Sequence, residues 1–345
     1  MKLKRTVALI MGTVLSMASL AGCSQTTLNY GEELAKTAKW EATSSEVTGK
    51  ISMDIQGMKE EMNFTSTGYT TGDKAYAKVD FTTSESSLNI KIPSIEVYVD
   101  NGVSYINKSY YEGIYTNSGL EVPKGLKDLK ADYIGIDTGM DMAAMKALTN
   151  EPEAMANLVK TVFGDSDIDL PYVQNGREYT MNLNSNEVVD LAAKGVKAAS
   201  NNLQNINNTF KLGLTDADMS QIKDQINSEA FTSGLEGIKQ YIAGSNITSK
   251  EVFGDDKYTT DLGLNLIIKD LGNISLNVTG TSTKAEAKDI TIPTNSIKLT
   301  QVELQTMLLE DTQNQVTQPS AYSKEVSGLK KSYKTSSIIQ IIIRK

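Results

Sequence analysis

Histidine is missing altogether from the 345 residues, and cysteine and tryptophan occur once each. Without imidazole there is no Ser-His-Asp or Cys-His nucleophile, no histidine-held zinc or haem, and no switch that titrates near neutral pH. A lone cysteine excludes an internal disulfide and a thiolate zinc site. Basic charge is also in short supply: 34 Lys and Arg stand against 42 Asp and Glu, a formal net charge of −8. The acidic residues are spread along the whole chain, so phosphate-backbone binding is disfavoured and no nucleic-acid partner is expected. With one Trp, six Phe and 15 Tyr, a sugar-stacking cleft would be poorly supplied. There is no G-x-S-x-G, P-loop or dinucleotide fingerprint. The expectation is a non-enzyme with no catalytic residue, no metal and no cofactor. The length suits about two domains or one large β-rich unit.

What is present is concentrated first at the N-terminus. Lys2, Lys4 and Arg5 make a basic start, and Thr6 to Leu20 form an apolar run broken by Gly12 and a few hydroxyl residues. A transmembrane helix needs roughly 20 apolar residues, so this shorter run suits an export signal. It ends in Leu20-Ala21-Gly22-Cys23, which resembles the lipobox of bacterial lipoproteins. In that group the cysteine sulfur is diacylglycerylated and the chain is cleaved just before it. The residues fit: Ala21 and Gly22 are small enough for an extended backbone in a peptidase site, and Cys23 is the chain's one soft nucleophile. Two acyl chains anchor stably because each buried CH₂ contributes about 0.8 kcal/mol. Removal of residues 1–22 takes three of the 34 basic residues and no acidic one, leaving 31 against 42, a net of −11. Such a body would be repelled by an anionic bilayer and held off it. Residues 23–39 are polar and read as a tether, placing the protein on the extracytoplasmic face of a bacterial cell membrane.

From Ser44 to about Tyr115 the hydrophobic period is two. Val47, Gly49, Ile51, Met53 and Ile55 share one face, and Met62, Phe64 and Ser66 continue it after a polar turn at Lys59-Glu60-Glu61. Ala75, Ala77, Val79 and Phe81 alternate next, followed by short strands at Leu88–Ile92, Ile95–Val99 and Val103–Asn107. Thr71-Gly72-Asp73 and Asp100-Asn101-Gly102 supply turns, the Asn-Gly pair being a strong hairpin signal. The pattern is an antiparallel meander with one wet and one apolar face. A helix follows from Asn150-Glu151-Pro152-Glu153 to about Phe163, then a strand at Arg177–Leu183. Asn184 to Glu187 caps a helix bearing Val188, Leu191, Ala192, Val196 and Ala199. Thr215 to Asp218 caps another, with Met219, Ile222, Ile226, Leu235, Ile238 and Ile242 at near-helical spacing, weakened by Gly234 and Gly237. The period returns to two through Tyr258–Ile268 and Ile274–Val278. Ile290–Ile297 reads as an edge strand because of Pro293, and Thr300–Glu303 caps a helix to Leu309. Residues 310–345 carry no period and read as disordered, with an unexplained apolar stretch at Ile338–Ile343.

Several constellations have both a chemical and a plain reading. Asp165-Ser166-Asp167-Ile168-Asp169 matches the start of a calcium loop, but Leu170 stands where such a loop needs glycine and Gly176 where it needs glutamate. A solvated loop after a helix is the plain alternative. Tyr98, Tyr105, Tyr110, Tyr111 and Tyr115 suit either a ligand-binding mouth or sheet-face packing. Trp40 stands before the first strand as a plug for one end of the core. Met140, Met142, Met145 and Met155 suit an adaptable apolar lining or ordinary core packing. Asp255-Asp256 and Glu60-Glu61 read as solvated turn residues. Carboxylate pairs suited to glycoside hydrolysis are decided by spatial separation, which sequence spacing does not give.

Strands, helices and strands again fit one sheet curling around helices, with two half-domains as the alternative. The lipobox, the strand series with its tyrosine-rich third and fourth strands, and the segment Asn175-Gly176-Arg177-Glu178-Tyr179 leading into a capped helix resemble the LolA/LppX-like lipoprotein families. The resemblance covers residues 40–309 in pattern. It implies an α+β fold, an open antiparallel β half-barrel curling around a layer of helices, and non-catalytic binding of an apolar or lipid ligand between sheet and helices. It places no ligand-binding residue, and no oligomeric state follows from it. A structural or adhesive surface module acting through exposed loops such as Tyr110–Leu120 is the competing expectation. An enzyme would instead require convergent carboxylates in a cleft.

Overall fold

The computed structural model describes residues 24–86, 91–137, 161–162, 164, 169–210 and 212–309. It is a mixed α+β structure in which one open sheet of 12 strands runs the width of the molecule. In chain order the elements are α1 (Gln25–Ala38), β1 (Ala42–Ile55), β2 (Met58–Thr71), β3 (Lys74–Ser86), β4 (Ile95–Asp100), β5 (Val103–Asn107), α2 (Lys108–Asn117), α3 (Lys124–Asp128) and β6 (Tyr133–Asp137). Then come β7 (Val173–Asn175), β8 (Glu178–Asn184), α4 (Ser185–Asn201), α5 (Leu203–Phe210), α6 (Asp216–Ile226), α7 (Glu229–Tyr241), β9 (Asn246–Phe253), β10 (Lys257–Ile268), β11 (Gly272–Ala285), β12 (Ser296–Leu299) and α8 (Gln301–Leu309).

Across the sheet the order is β12-β6-β5-β4-β3-β2-β1-β11-β10-β9-β8-β7. Two antiparallel meanders, one from each half of the chain, meet where β1 pairs with β11 from Ala42↔Ala285 to Ile55↔Gly272. β12 is the exception, lying parallel to β6. The edges are β7, three residues long, and β12, four. Short edges of this kind limit pairing with other chains.

The hairpin expected at Asn101-Gly102 is present, with φ of 47° and 80°. The first hairpin differs from expectation. It turns at Gln56-Gly57, where φ is 53° and 84°, the positive-φ pair that matches strand twist. Lys59-Glu60-Glu61 is therefore strand, not turn, within β2. Its charges are paired across the ladder, Lys50 to Glu61 at 2.6 Å and Lys59 to Asp54 at 3.8 Å. Further along, Gly49 leaves room for the Phe64 ring opposite it; a Cβ at Gly49 would lie 2.1 Å from Phe64 Cζ.

Residues 24–39 are not a tether. Thr27, Tyr30, Gly31, Leu34 and Ala35 recur at the spacing of one helix stripe, and Ser24 caps the helix by accepting Thr27 N–H. The stripe packs on Tyr179 and Phe253. Tyr110–Leu120 is likewise not a loop over most of its length, since α2 takes Lys108–Asn117. The strand expected at Ile290–Ile297 is pared down to β12, and residues 286–295 form no ladder. They connect β11 to the far edge, seven strand steps away at about 4.8 Å each, roughly 34 Å. Ten residues span that only when nearly extended. Along this path Tyr69 Oη donates to the Glu286 carbonyl (2.8 Å) and accepts Lys288 N–H (2.9 Å). Ile290 is buried against Ala42 and Tyr69, and Asn295 carbonyl accepts from Asp132 and Tyr133 N–H.

Among the helices, both expected capping boxes are present, at Asn184/Glu187 and Thr215/Asp218. On α4 the buried apolar residues are Val189, Val196, Ala198 and Ala199, so Val188, Leu191 and Ala192 lie beside the stripe rather than on it. The long apolar series breaks at Asn227-Ser228 into α6 and α7, with Ser228 capping α7. α4 packs on β8, β9, α6 and α7, while α3 and α8 pack together near β12. Of the strand expected at Leu88–Ile92, residues 91–92 lie in no strand, and of the helix expected from Asn150 to about Phe163, residues 161–162 are helical; Leu88–Ile90, residues 150–160, Met140, Met142, Met145 and Met155, and residues 310–345 lie outside the described residues.

Candidate functional site

The strand register places one set of apolar side chains on a common face. Across β10, β11, β1 and β2 run the rows Leu264-Leu276-Ile51-Met62 and Leu262-Val278-Gly49-Phe64, the second continuing to Phe81 on β3. Directly opposed residues share a face, so these rows form a continuous apolar surface over the middle of the sheet. They are half-buried, and Leu262 is 38% exposed. Among the described residues no helix packs extensively on β1, β2, β3, β10 or β11. The expected apolar face of the meander is there, and it is not packed dry by described chain.

Toward β9 and β8 the same face changes character. Thr260, Glu251 and Tyr179 make the next row, followed by Tyr258 and Phe253. Glu251 is only 6% exposed. Its Oε2 accepts hydroxyls of Tyr30 (2.8 Å) and Tyr258 (2.5 Å), and its Oε1 accepts Tyr172 (2.7 Å) and Ser249 (3.2 Å). An ionised carboxylate offers about four lone-pair sites, and four hydroxyls occupy them. The four hydroxyls use up its acceptor capacity, so Glu251 is a structural hub. Burial first, and then the neighbouring carboxylate, push the phenols of Tyr172 and Tyr258 well above the ordinary tyrosine value. Tyr30 is raised further, by burial and then by Tyr172 and Glu251. The rings close the cage: Tyr30 lies 4.5 Å from Tyr172 and 5.3 Å from Tyr179, and Phe253 stacks on Tyr258 at 4.7 Å between centroids.

α1 is fastened to this end by polar ties as well. Arg177 binds Glu33 through Nε (3.0 Å) and Nη2 (2.6 Å), and reaches Asp255 with Nη1 (2.6 Å). Burial alone would raise the Glu33 carboxyl, but hydrogen bonds from Lys36 and Arg177 outweigh it and hold the group below its usual value.

The tyrosines singled out in the sequence do not come together as one mouth. Tyr98 sits on the opposite face, 4.8 Å from Tyr76 and 5.5 Å from Tyr133. There Glu96 accepts Tyr133 Oη at 2.6 Å. Tyr105 is buried over Gly135, Tyr110 and Tyr111 pack on each other in α2, and Tyr115 donates to the Leu308 carbonyl. Trp40 is half-buried beside β1. Asp255-Asp256 does fall in the turn between β9 and β10. Of the calcium-like segment, Asp165–Ile168 lie outside the described residues, and Asp169 accepts hydroxyls from Ser24 and Thr27. Leu20, Ala21, Gly22 and Cys23 also lie outside them; the described chain starts at the next residue, Ser24.

Sequence reasoning missed the Glu251 cage, whose members come from positions 30, 172, 249, 251 and 258. The one local signal was Glu251 and Tyr258 flanking the same turn. No described helix is long and apolar enough to cross a membrane. Compared with protein families and with curated proteins, the chain matches none.

Proposed function

We propose that this chain is a lipoprotein of the extracytoplasmic face of a bacterial cell membrane. Residues 1–22 direct export, Cys23 carries a diacylglycerol anchor, and the folded part is a non-catalytic binding body. In this reading the sheet is an open half-barrel, its concave side is the apolar face, and the helices at its β8–β9 end leave a gap beside them for an apolar or lipid ligand or an exported partner. One observation carries it: the rows through Ile51, Leu276, Leu264 and Phe64 are apolar yet only half-buried. A monomeric protein rarely leaves so broad an apolar patch without a use for it.

A structural or adhesive module is the second reading. It is favoured by three recesses among the described residues, of about 220, 240 and 250 Å³, each smaller than the ~300 Å³ of typical small-molecule sites. An extended acyl chain lying along the sheet needs no compact pocket, which keeps the lipid reading ahead. Native mass spectrometry of the chain beginning at residue 23, with Cys23→Ser to keep it soluble, decides between them. Co-purifying species of lipid mass, displaced by a fluorescent fatty acid, are expected. A bare protein that leaves the probe's emission unchanged refutes ligand binding.

A further inference from the structure

We propose that the end of the molecule made by the first turns of α1 and the segment 169–175 is a membrane seat, resting directly on the lipid bilayer. This rests on lipidation of Cys23 as proposed above. The described chain begins one residue after Cys23, and it begins folded. Ser24 caps α1 and donates its hydroxyl to Asp169, whose Oδ1 also accepts Thr27 Oγ1 at 2.5 Å. Thr27 is fully buried, and Asn29 Nδ2 donates to Gln174 Oε1 at 2.9 Å. One trans peptide spans 3.8 Å between Cα atoms, so an anchor at Cys23 leaves only the cysteine side chain and its glyceryl thioether between the folded helix and the acyl chains. The body is held where its own surface meets the headgroups.

That surface suits a bilayer. α1 carries no charged side chain until Glu32, and β7 is Val173-Gln174-Asn175, so among the described residues nearest the anchor the one charged group is Asp169, an exposed carboxylate engaged by the Ser24 and Thr27 hydroxyls. A single carboxylate at this end keeps its repulsion by anionic lipid small beside that of the acidic body as a whole. Leu28 is 45% exposed and Val173 is 69% exposed. Both flank the contact between Asn29 and Gln174, and both are free to enter the boundary between headgroups and acyl chains.

The single native tryptophan, Trp40, provides the control. It lies beyond the C-terminus of α1, whose 14 residues span about 21 Å at 1.5 Å each. The test uses the mature lipidated protein in phosphatidylglycerol vesicles with brominated acyl chains. Three forms are compared: native, Trp40→Phe with Leu28→Trp, and Trp40→Phe with Val173→Trp. Both new positions are exposed, so the fold accommodates the larger ring. Side chains buried about 5–10 Å into the interface should lose at least about twofold in emission at positions 28 and 173, while Trp40 stays nearly as bright as in unbrominated vesicles. Equal emission at all three positions, bright or quenched, overturns the seat. Intact mass of the same sample reports the diacylglyceryl group. If that mass is absent the anchor fails and the seat with it. If it is present without selective quenching, the seat alone fails.

Discussion

Replacing Glu251 with alanine would strip the acceptor from four hydroxyl groups at once, those of Tyr30, Tyr172, Tyr258 and Ser249. A buried donor left without a partner costs about 1–3 kcal/mol. Water entering the vacated space would rescue part of this, and the desolvation of a buried carboxylate would be relieved. Taking the low end for each of the three phenols, the expected loss is about 3 kcal/mol, a large share of the roughly 5–15 kcal/mol that holds a folded domain. Glu251→Gln keeps one oxygen acceptor and should lose less, about 1–2 kcal/mol. Tyr30→Phe removes one donor and leaves the carboxylate three, so a loss of about 1 kcal/mol is expected, all of it from the docking of α1. Urea denaturation at neutral pH, followed by Trp40 emission and by circular dichroism, ranks the three. The solvated Glu46→Ala is the control and should stay within about 0.5 kcal/mol of the parent. If Glu251→Ala also stays within that margin, the cage does not hold the fold and the hub reading is wrong.

The same cage sets an alkaline limit. The phenols of Tyr30, Tyr172 and Tyr258 are raised in the folded protein, by burial and by their neighbours. Their stabilisation is therefore complete below the unfolded value of about 10 and is lost as pH climbs above it toward the folded values. Each contributes about 1 kcal/mol over the first pH unit above 10 and approaches about 1.4 kcal/mol per unit beyond it, so the three together should cost about 3 kcal/mol between pH 10 and 11. Tyrosinate absorbance should show these three ionising only with unfolding; titration near 10 in the folded protein would contradict the cage. At the acid end, Glu33 is lowered because the hydrogen bonds from Lys36 and Arg177 outweigh burial. Its contribution is present above about 4.5 and disappears as pH falls through the folded value. Arg177→Ala should cost about 1–2 kcal/mol at neutral pH, since Arg177 is itself 37% exposed, and should move acid unfolding to higher pH. An unmoved acid midpoint would show that the Arg177–Glu33 tie contributes nothing.

How much of this was written in the sequence depends on the range over which each interaction acts. Local features could be read directly: the alternation of β1 and β10, the Asn101-Gly102 turn, and the capping boxes at Asn184 and Thr215 each depend on residues at most a few positions apart. Errors arose where tertiary pairing overrides composition. Lys59-Glu60-Glu61 looks like a turn because it is charged, yet those charges are satisfied across β1 and β2 while the smaller Gln56-Gly57 makes the turn. Ser24–Lys39 looks like a linker because its buried stripe is made of Thr27, Gly31 and Ala35 around one tyrosine, a pattern of spacing and not of hydropathy. α2 was hidden for the opposite reason, since its tyrosines favour strands.

The Glu251 cage was beyond reach of any local rule, and the reason is topological. Tyr30 is separated from Glu251 by 221 positions. They meet because the N-terminal helix docks on strands from the last third of the chain, while β1 pairs with β11 to seal the two meanders into one sheet. That arrangement links the first turns of α1 to the apolar face. Ser24 and Thr27 bind Asp169, Tyr30 binds Glu251, and Glu251 lies in the same ladder row as Thr260, two positions from Leu262 on the apolar face. α1 therefore ties the segment around Asp169 to the strands that carry the apolar rows, and with Cys23 lipidated, as proposed above, it would join the anchor to them as well. A segment with so little apolar surface is held in place largely by its polar groups, so its ties to the rest of the chain are hydrogen bonds and an ion pair across long sequence separations.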